Sequence, residues 1–203
     1  MKIVFAIILA AGSSNRLGFN KLTVSIDGES VIRRSVKPFL MAGLHKVLVV
    51  TGHDHRIIKK ELDGLNVSLI HNPHYKKGMS TSVKAAIPFL KGADALLLHL
   101  GDKPFVTFQS IKSVLNIYRE LEAKIVIPRF DGKTGHPVMI NASLLRDEIG
   151  MLRGDSGLRE VIEKYKQDVV FIDGDNGNLC DIDTIQAIDQ IRERGYRIEE
   201  NKR

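Results

Sequence analysis

The sequence is poor in several residue types, and each shortage argues against a class of protein. A single cysteine, Cys180, stands among 203 residues, which excludes an internal disulfide and any metal cluster built on thiolates and is typical of a reducing cytoplasm. No apolar run approaches the roughly 20 residues that cross a bilayer. Aromatic residues make up 6% of the chain, so the interleaving of aromatic and basic residues typical of nucleic-acid-binding surfaces is missing. We therefore expect a cytoplasmic protein with neither a membrane nor a nucleic acid as partner.

Acidic residues are fewer than basic ones, and the formal net charge is +6. The basic residues are spread along the chain in small groups, and such a diffuse positive field suits an anionic small substrate. The Ser/His/Asp, CxxC and HExxH patterns do not occur in the sequence. Nucleophilic catalysis by the protein is therefore not indicated.

Short β-branched runs alternate with segments of helical periodicity along the chain. Strands are predicted at Ile3–Leu9, Lys46–Val50, Val67–Ile70, Ala95–Leu100, Lys124–Ile127 and Val169–Ile172. Helices are predicted at Val31–Met41, Asp54–Leu62, Ser80–Leu90, Thr107–Leu121, Ser156–Tyr165 and Ile182–Arg194. Nearly wholly apolar strands between amphipathic helices predict a doubly wound α/β fold, with helices on both faces of a mostly parallel sheet. Pro137–Ile140 is predicted as one further strand, irregular or antiparallel.

Neither a linker nor a repeat interrupts the sequence. We expect a single domain over residues 1–203, in which Gly195–Arg203 forms a solvated tail. An alternative for the first segment is a signal peptide with Ile3–Leu9 as its apolar core, although that run is at the short limit for such a signal.

The stretch LAAGSSNRLGFNK, from Leu9 to Lys21, directly follows the first predicted strand. Its glycines and serines allow tight turns that expose backbone N–H groups, while Arg16 and Lys21 add fixed positive charge. These are the properties of a phosphate-binding loop. The pattern is neither G-x-x-x-x-G-K-[ST] nor G-x-G-x-x-G. A plain strand-to-helix connection is the alternative, but such connections usually need only a few residues.

Polar, glycine-bearing or proline-bearing segments also follow the next three predicted strands. These segments are TGHDH at 51–55, HNP at 71–73 and GDKP at 101–104. Because ligands of open α/β sheets bind at the carboxyl ends of the strands, we expect one cleft there.

Six motifs occur in order over nearly the whole chain. They are L-A-A-G-x-S-x-R-x-G-x-x-K at 9–21, N-P-x-[WY]-x-x-G-M-x-x-S at 72–82, L-x-D-x-P-x-[VI] at 100–106, P-x-x-x-G-x-x-G-H-P at 128–137, G-D-x-G at 154–157 and D-I-D-T at 181–184. The ordered set resembles the nucleotidyltransferases, and within them the molybdenum cofactor cytidylyltransferases and guanylyltransferases. Lys103 departs from the pattern, because the family often has Met or Gln there, and it adds a cation beside the expected metal site.

The resemblance implies an Mg²⁺-dependent transfer of CMP, with GMP less favoured, from an NTP to a phosphorylated small-molecule acceptor with release of pyrophosphate. The implied nucleotide is CTP, the implied acceptor is the molybdopterin cofactor, and a molybdoenzyme is a further possible partner. Two alternatives stay open. One is a sugar- or alcohol-phosphate nucleotidyltransferase, and the other is a non-catalytic carrier that binds a nucleotide or the molybdenum cofactor.

The resemblance also assigns roles to individual residues. The catalytic residues would be Lys21, Arg16 and Asp102. The metal ligands would be Asp102 and Asp183, with Asp181 as the substitute for the latter. The nucleotide-binding residues would be Leu9, Ala10, Ala11, Gly12, Ser13, Ser14, Asn72 and Ser82. The acceptor-binding residues would be Gly135, His136, Gly154 and Asp155.

Each of these roles has a structural alternative. An aspartate that precedes a helix can be a helix cap, which applies to Asp102, Asp155 and Asp183. Asn72 precedes a proline and can be a turn residue, and His136 can be a structural imidazole. His53 and His55 are interpreted as exposed side chains beside the start of a helix.

Overall fold

The computed structural model describes residues 2–14 and 17–200 of the chain. The strands are β1 (Val4–Ala10), β2 (Ser25–Ile26), β3 (Glu29–Ser30), β4 (Lys46–Thr51), β5 (Ser68–His71), β6 (Ala95–Leu100), β7 (Ile125–Phe130), β8 (Lys133–Thr134), β9 (Val138–Asn141), β10 (Val169–Asp173) and β11 (Ile198–Glu199). The α-helices are α1 (Val31–Met41), α2 (His55–Glu61), α3 (Met79–Ala86), α4 (Phe108–Leu121), α5 (Ala142–Asp147), α6 (Arg159–Lys164), α7 (Asn176–Leu179) and α8 (Ile185–Glu193).

The main sheet has the strand order β10-β7-β9-β6-β1-β4-β5, and β8 pairs with β7. β1 lies between β4 and β6 and is parallel to both. β4 is parallel to β5, and β7 is parallel to β10. β9 is antiparallel to both β6 and β7. The predicted doubly wound, mostly parallel fold is therefore confirmed, and the irregular strand expected at Pro137–Ile140 is the antiparallel strand β9.

The core lies on both faces of this sheet, which is why the central strands are apolar throughout. All seven residues of β1 are buried. Ala6 and Ile8 belong to the cluster packed under α1, α4 and α8. Ile7 and Leu9 point the other way and belong to the cluster under α3, α5 and α6. Alternate residues of one strand thus serve two cores, as the two-residue period of a strand requires.

A small antiparallel sheet with the order β11-β2-β3 stands apart from the main one. Ile198 pairs with Ile26, and the Asp27 N–H donates to the Arg197 carbonyl at 2.8 Å. The solvated tail expected over Gly195–Arg203 therefore differs from the structure: Ile198–Glu199 forms a paired strand, and Tyr196 and Ile198 pack against the core. Residues 201–203 lie outside the described part. A two-residue strand has no periodicity to detect, and its partner is distant in sequence.

The last helix begins later than predicted. Periodicity places its start at Ile182, whereas α8 begins at Ile185 and is capped by the Thr184 hydroxyl, which accepts from the Ala187 N–H at 3.1 Å. Asp183 therefore precedes the cap and does not occupy the capping position. Within residues 2–14 and 17–200, no helix combines the length and the apolar composition that a membrane span needs.

Candidate active site

A cleft of about 690 Å³ opens at the carboxyl ends of β1, β4 and β6. Its walls come from the loop after β1, the turns after β4 and β5, the start of α3 and the turn after β6. The lining residues are Leu9, Ala10, Ala11, Gly12, Ser13, Lys21, Leu22, His53, Tyr75, Lys76, Gly78, Met79, Ser82, Leu100, Asp102 and Asp155. The cleft thus lies at the carboxyl ends of the strands, where open α/β sheets bind their ligands.

The loop after β1 forms one side of this cleft. A Cβ built at Gly12 would meet nothing within 4 Å, so the backbone there faces open space. Ser14 has φ 52° and closes the loop, because its hydroxyl accepts from the Lys21 N–H at 3.1 Å. Among the expected nucleotide-binding residues, Leu9 to Ser13 line the cleft, whereas Ser14 shapes the loop. Asn15 and the expected catalytic residue Arg16 lie outside the described residues.

Lys21 is held in place by the residue before it. The Asn20 side-chain oxygen accepts from the Leu22 N–H at 2.9 Å and begins a short 3-10 turn over Lys21–Thr23. The amide nitrogen of Asn20 donates to Asp54 at 3.0 Å, which ties this turn to the segment before α2. The backbone of Lys21 is thus fixed on both sides, and its side chain extends into the cleft.

The Lys21 ammonium lies between two carboxylates that are far away in sequence. Its Nζ donates to Asp102 Oδ2 and to Asp183 Oδ1, each at 2.5 Å. Burial by itself would lower the pKa of Lys21, but the charges and hydrogen bonds of Asp102 and Asp183 outweigh it and raise that pKa above its ordinary value. Lys21 is therefore a fixed cation at neutral pH.

The same two carboxylates fit a hard divalent cation. Asp102 Oδ1 is buried and has no hydrogen-bond partner among the described residues, so one ligand oxygen is already turned away from water. The described residues hold no group of three or more His, Cys, Asp or Glu side chains that could bind a metal. A cation here would complete its shell with phosphate oxygens and water, which is how proteins usually bind Mg²⁺.

Asp181, the substitute candidate for a metal ligand, lies elsewhere. Its Oδ2 lies 3.4 Å from the Lys103 Nζ. Neither Asp181 nor Asp183 is among the residues that line the cleft, but Asp183 contacts Lys21. The structure thus brings Asp183, and not Asp181, to Asp102 and Lys21.

Asn72 and Ser82 are joined to each other, and only Ser82 lines the cleft. Asn72 is 2% exposed. Its amide nitrogen donates to the hydroxyls of Thr81 and Ser82 at 2.9 and 3.0 Å, and its oxygen accepts from the His74 N–H at 2.9 Å. The side chain of Asn72 therefore binds the turn after β5 to α3.

Gly154 and Asp155 hold the first turn of α3. Asp155 Oδ1 accepts from the Met79 N–H at 3.0 Å, and the Gly154 carbonyl accepts from the Ser80 N–H at 3.0 Å. The approach is close: a Cβ on Gly78 would lie 2.3 Å from the Gly154 carbonyl carbon. Asp155 also lines the cleft, so this loop supports one cleft wall from behind and adds a carboxylate to it.

Gly135 and His136 are not among the cleft-lining residues. The His136 N–H donates to the Asn178 carbonyl at 3.0 Å, and the Asn178 amide donates back to the His136 carbonyl at 2.6 Å. Burial, followed by the nearby charge of Lys103, lowers the pKa of His136 to about 4. The imidazole is therefore neutral at pH 7, and the segment is held in place by a fully buried asparagine.

Sequence reasoning missed three groups that the structure makes important. Tyr75 and His53 line the cleft together, with 3.3 Å between the Tyr75 hydroxyl and His53 Nδ1. Asn178 is fully buried, and its side-chain amide donates to the His136 carbonyl. The interpretation of His53 and His55 as exposed side chains is wrong: both are half-buried. His53 lines the cleft because it follows β4 at the carboxyl edge of the sheet. The contacts of Asn178 leave no signal in the sequence.

Comparison with known proteins agrees with this geometry. The doubly wound, mostly parallel sheet is shared with a solved nucleotidyl transferase, and this chain is an enzyme of the nucleotidyltransferase class. Residues 6–169 match the MobA-like NTP transferase domain. The chain therefore belongs to the family of MobA-like NTP transferases, and the resemblance noted in the sequence is confirmed.

Individual relatives show how far this similarity extends. The chain is 29% identical over 150 residues to the molybdenum cofactor cytidylyltransferase of Escherichia coli (strain K12), covering 73% of this chain and 76% of the relative. It is 26% identical over 204 residues to the purine catabolism protein PucB of Bacillus subtilis (strain 168), and the match covers 93% of this chain and 96% of the relative. A solved nucleotidyl transferase from Methanothermobacter thermautotroptrophicus shares the fold, with a TM-score of 0.80 at 23% identity. The match covers 96% of this chain and 98% of the solved one.

Proposed function

We propose that this nucleotidyltransferase transfers CMP from CTP to a phosphorylated small-molecule acceptor in an Mg²⁺-dependent reaction, and that the acceptor is a molybdopterin cofactor. The choice of CMP and of this acceptor is supported by the similarity to a molybdenum cofactor cytidylyltransferase. The reaction type is supported by the family, whose members typically use a divalent metal.

One observation carries the proposal. Lys21 is held at 2.5 Å from both Asp102 and Asp183, at the edge of a cleft walled by exposed loop backbone. An ammonium and two carboxylates at one point match the groups needed around a transferring phosphoryl unit, which carries negative charge and is usually accompanied by a divalent cation. Lys21 and Asp102 both line the cleft, so these charges are within reach of a ligand bound there.

The groups of this chain can act on the α-phosphate as follows. An acceptor phosphate oxygen attacks the α-phosphorus, and the bond from that phosphorus to the pyrophosphate oxygen breaks. Lys21 would leave its carboxylates and donate to an α-phosphate oxygen as charge builds there. The backbone N–H groups around Gly12 and Ser13 would hold the other phosphates. Mg²⁺, held by Asp102 and Asp183, would neutralise charge on phosphate oxygens when bound.

Pyrophosphate release with each of the four NTPs, with and without Mg²⁺ and acceptor, tests the proposal. We expect release with CTP and a molybdopterin acceptor, and only with Mg²⁺ present. Release with GTP instead would assign the chain to the guanylyl branch. No release with any phosphorylated acceptor, together with NTP affinity that Mg²⁺ does not change, would favour the carrier.

Replacement of the lysine separates a catalytic role from a binding role. Lys21→Ala should lower kcat by about 10²–10³-fold, because the ammonium acts on charge that develops during attack, and should change the KM for NTP much less. Arg16→Ala is expected to weaken NTP binding as well. Lys91→Ala, a change at an exposed lysine outside the cleft, is the matched control. A normal kcat in Lys21→Ala would refute the role given to Lys21.

A further inference from the structure

A second cleft, of about 400 Å³, opens beside the first one. It lies between the β7–β8 hairpin, α7 and α8, and its lining set shares no residue with that of the nucleotide cleft. The side chains of interest in it are Lys103, Lys133, Asn176, Cys180, Asp181 and Arg194.

The charges around this second cleft are unequal. Lys103, Lys133 and Arg194 line it, while Asp181 is the one carboxylate among its lining residues. The side chain of Lys103 is only 8% exposed, and its Nζ donates to the Leu179 carbonyl at 2.5 Å. Asp181 is 3.4 Å away and is itself 46% exposed. A buried ammonium is costly unless an opposite charge compensates it, and here the compensation is a carbonyl and one long, partly solvated ion pair.

The charge of Lys103 affects two neighbouring imidazoles, those of His99 and His136. Burial has the largest effect on the two imidazoles nearby, but the charge of Lys103 also lowers the pKa of His136 and that of His99. Both imidazoles are therefore neutral at pH 7, so Lys103 is the charged group at this position. The second cleft is thus an electropositive concavity.

We propose that the second cleft binds a phosphoryl oxyanion, held by Lys103, Lys133 and Arg194. A largely buried ammonium and two further cations that line the same concavity provide charge and hydrogen-bond donors for several oxygens of one such group. The Ile182 N–H donates to the Asp102 carbonyl at 3.1 Å, so the second cleft shares a wall with the catalytic carboxylates. The oxyanion is either a second anionic group of the acceptor, a reading that rests on the proposed function, or free phosphate.

Cys180 allows a direct test, because it lines the second cleft and is the one cysteine in the sequence. A bound oxyanion would cover the thiol and disfavour its thiolate, so both effects slow alkylation. With inorganic phosphate at about ten times its dissociation constant, the rate of iodoacetamide labelling should fall roughly tenfold. Sodium chloride at equal ionic strength is the control for screening.

Two variants assign the effect to the cations. Lys133→Gln changes an exposed residue and should weaken the protection of Cys180 by phosphate. Lys103→Met should abolish it, with circular dichroism confirming the fold. Lys91→Met, outside the second cleft, should keep full protection. For each variant, the labelling rate with phosphate is compared with its own rate without phosphate, because removal of a cation also changes the reactivity of the thiol. Protection no greater than with chloride, or equal protection in Lys133→Gln and Lys91→Met, would overturn the site.

The source of the oxyanion follows from one further measurement. If the acceptor supplies it, Lys133→Gln should raise the KM for the acceptor while kcat stays near that of the wild type. An unchanged KM for the acceptor in Lys133→Gln, together with protection of Cys180 by phosphate in the wild type, identifies free phosphate as the ligand. Labelling of Cys180 needs no turnover, so failure of this site and failure of the proposed reaction give different results.

Discussion

Replacement of Lys21 by methionine should make the stability of the protein depend on divalent cations. Asp102 Oδ2 and Asp183 Oδ1 each lie 2.5 Å from the same nitrogen, so the two oxygens are within about 5 Å of each other. At an effective dielectric constant of about 20, their repulsion at that distance is about 3 kcal/mol. Asp183 is 40% exposed, and solvent screening reduces the expected loss of stability to roughly 1–2 kcal/mol.

The expected result is a lower Tm that Mg²⁺ restores. For a chain of this size, 1–2 kcal/mol corresponds to a decrease of about 3–6 °C. Mg²⁺ should then raise the Tm of Lys21→Met more than that of the wild type, where the ammonium competes with the cation. Differential scanning fluorimetry with and without Mg²⁺ measures both shifts, and Lys91→Met is the control.

Two further observations check the electrostatic origin of this effect. Lys21→Met/Asp183→Asn should regain part of the lost stability, because the repulsion is removed. The raised pKa of Lys21 means that its contribution is complete below 10.5 and is lost as the pH rises through the folded-state pKa. The difference in the free energy of unfolding between the wild type and Lys21→Met should therefore disappear only above the folded-state pKa of Lys21. Equal Mg²⁺ shifts in the two proteins would refute the reasoning.

Three other predictions concern separate parts of the molecule. Asp102→Asn should keep the fold but lose most Mg²⁺-dependent pyrophosphate release, since an amide is a poorer ligand for a hard cation; near-normal turnover would mean that Asp102 holds no metal. The pKa of His136 is lowered from 6.5 to about 4, so on acidification the unfolded chain binds a proton at a higher pH than the folded protein does. The free energy of unfolding should therefore fall by up to about 3 kcal/mol as the pH drops from 6.5 to 4. Urea unfolding of His136→Asn should show a flatter pH dependence. Gly78→Ala should lower the Tm more than Gly92→Ala, because both glycines have positive φ but only a Cβ on Gly78 would meet Gly154; equal losses would contradict the close contact.

The sequence alone predicted the main sheet except for the two-residue strand β8, together with the edge at which the cleft opens. The apolar run Ile3–Leu9, followed along the chain by alternating helices and strands, predicts a strand buried between two helical layers, and the structure places it at Val4–Ala10. The polar residues after such strands come together because parallel strands share one carboxyl edge. The ordered motifs added the family, since they span nearly the whole chain. The apolar runs are local and the motifs are ordered along the chain, so both can be recognised from the sequence without a structure.

Only the tertiary structure decided which charged groups meet. Lys21 contacts Asp102 and Asp183 across 81 and 162 residues of sequence, and Asp155 caps a helix that begins 76 residues earlier. Lys103, although adjacent to Asp102, donates to Leu179 and faces a different cleft. Sequence spacing carries no information about such pairs, because the distance between two side chains is set by the packing of the elements that bear them and not by the length of chain between them.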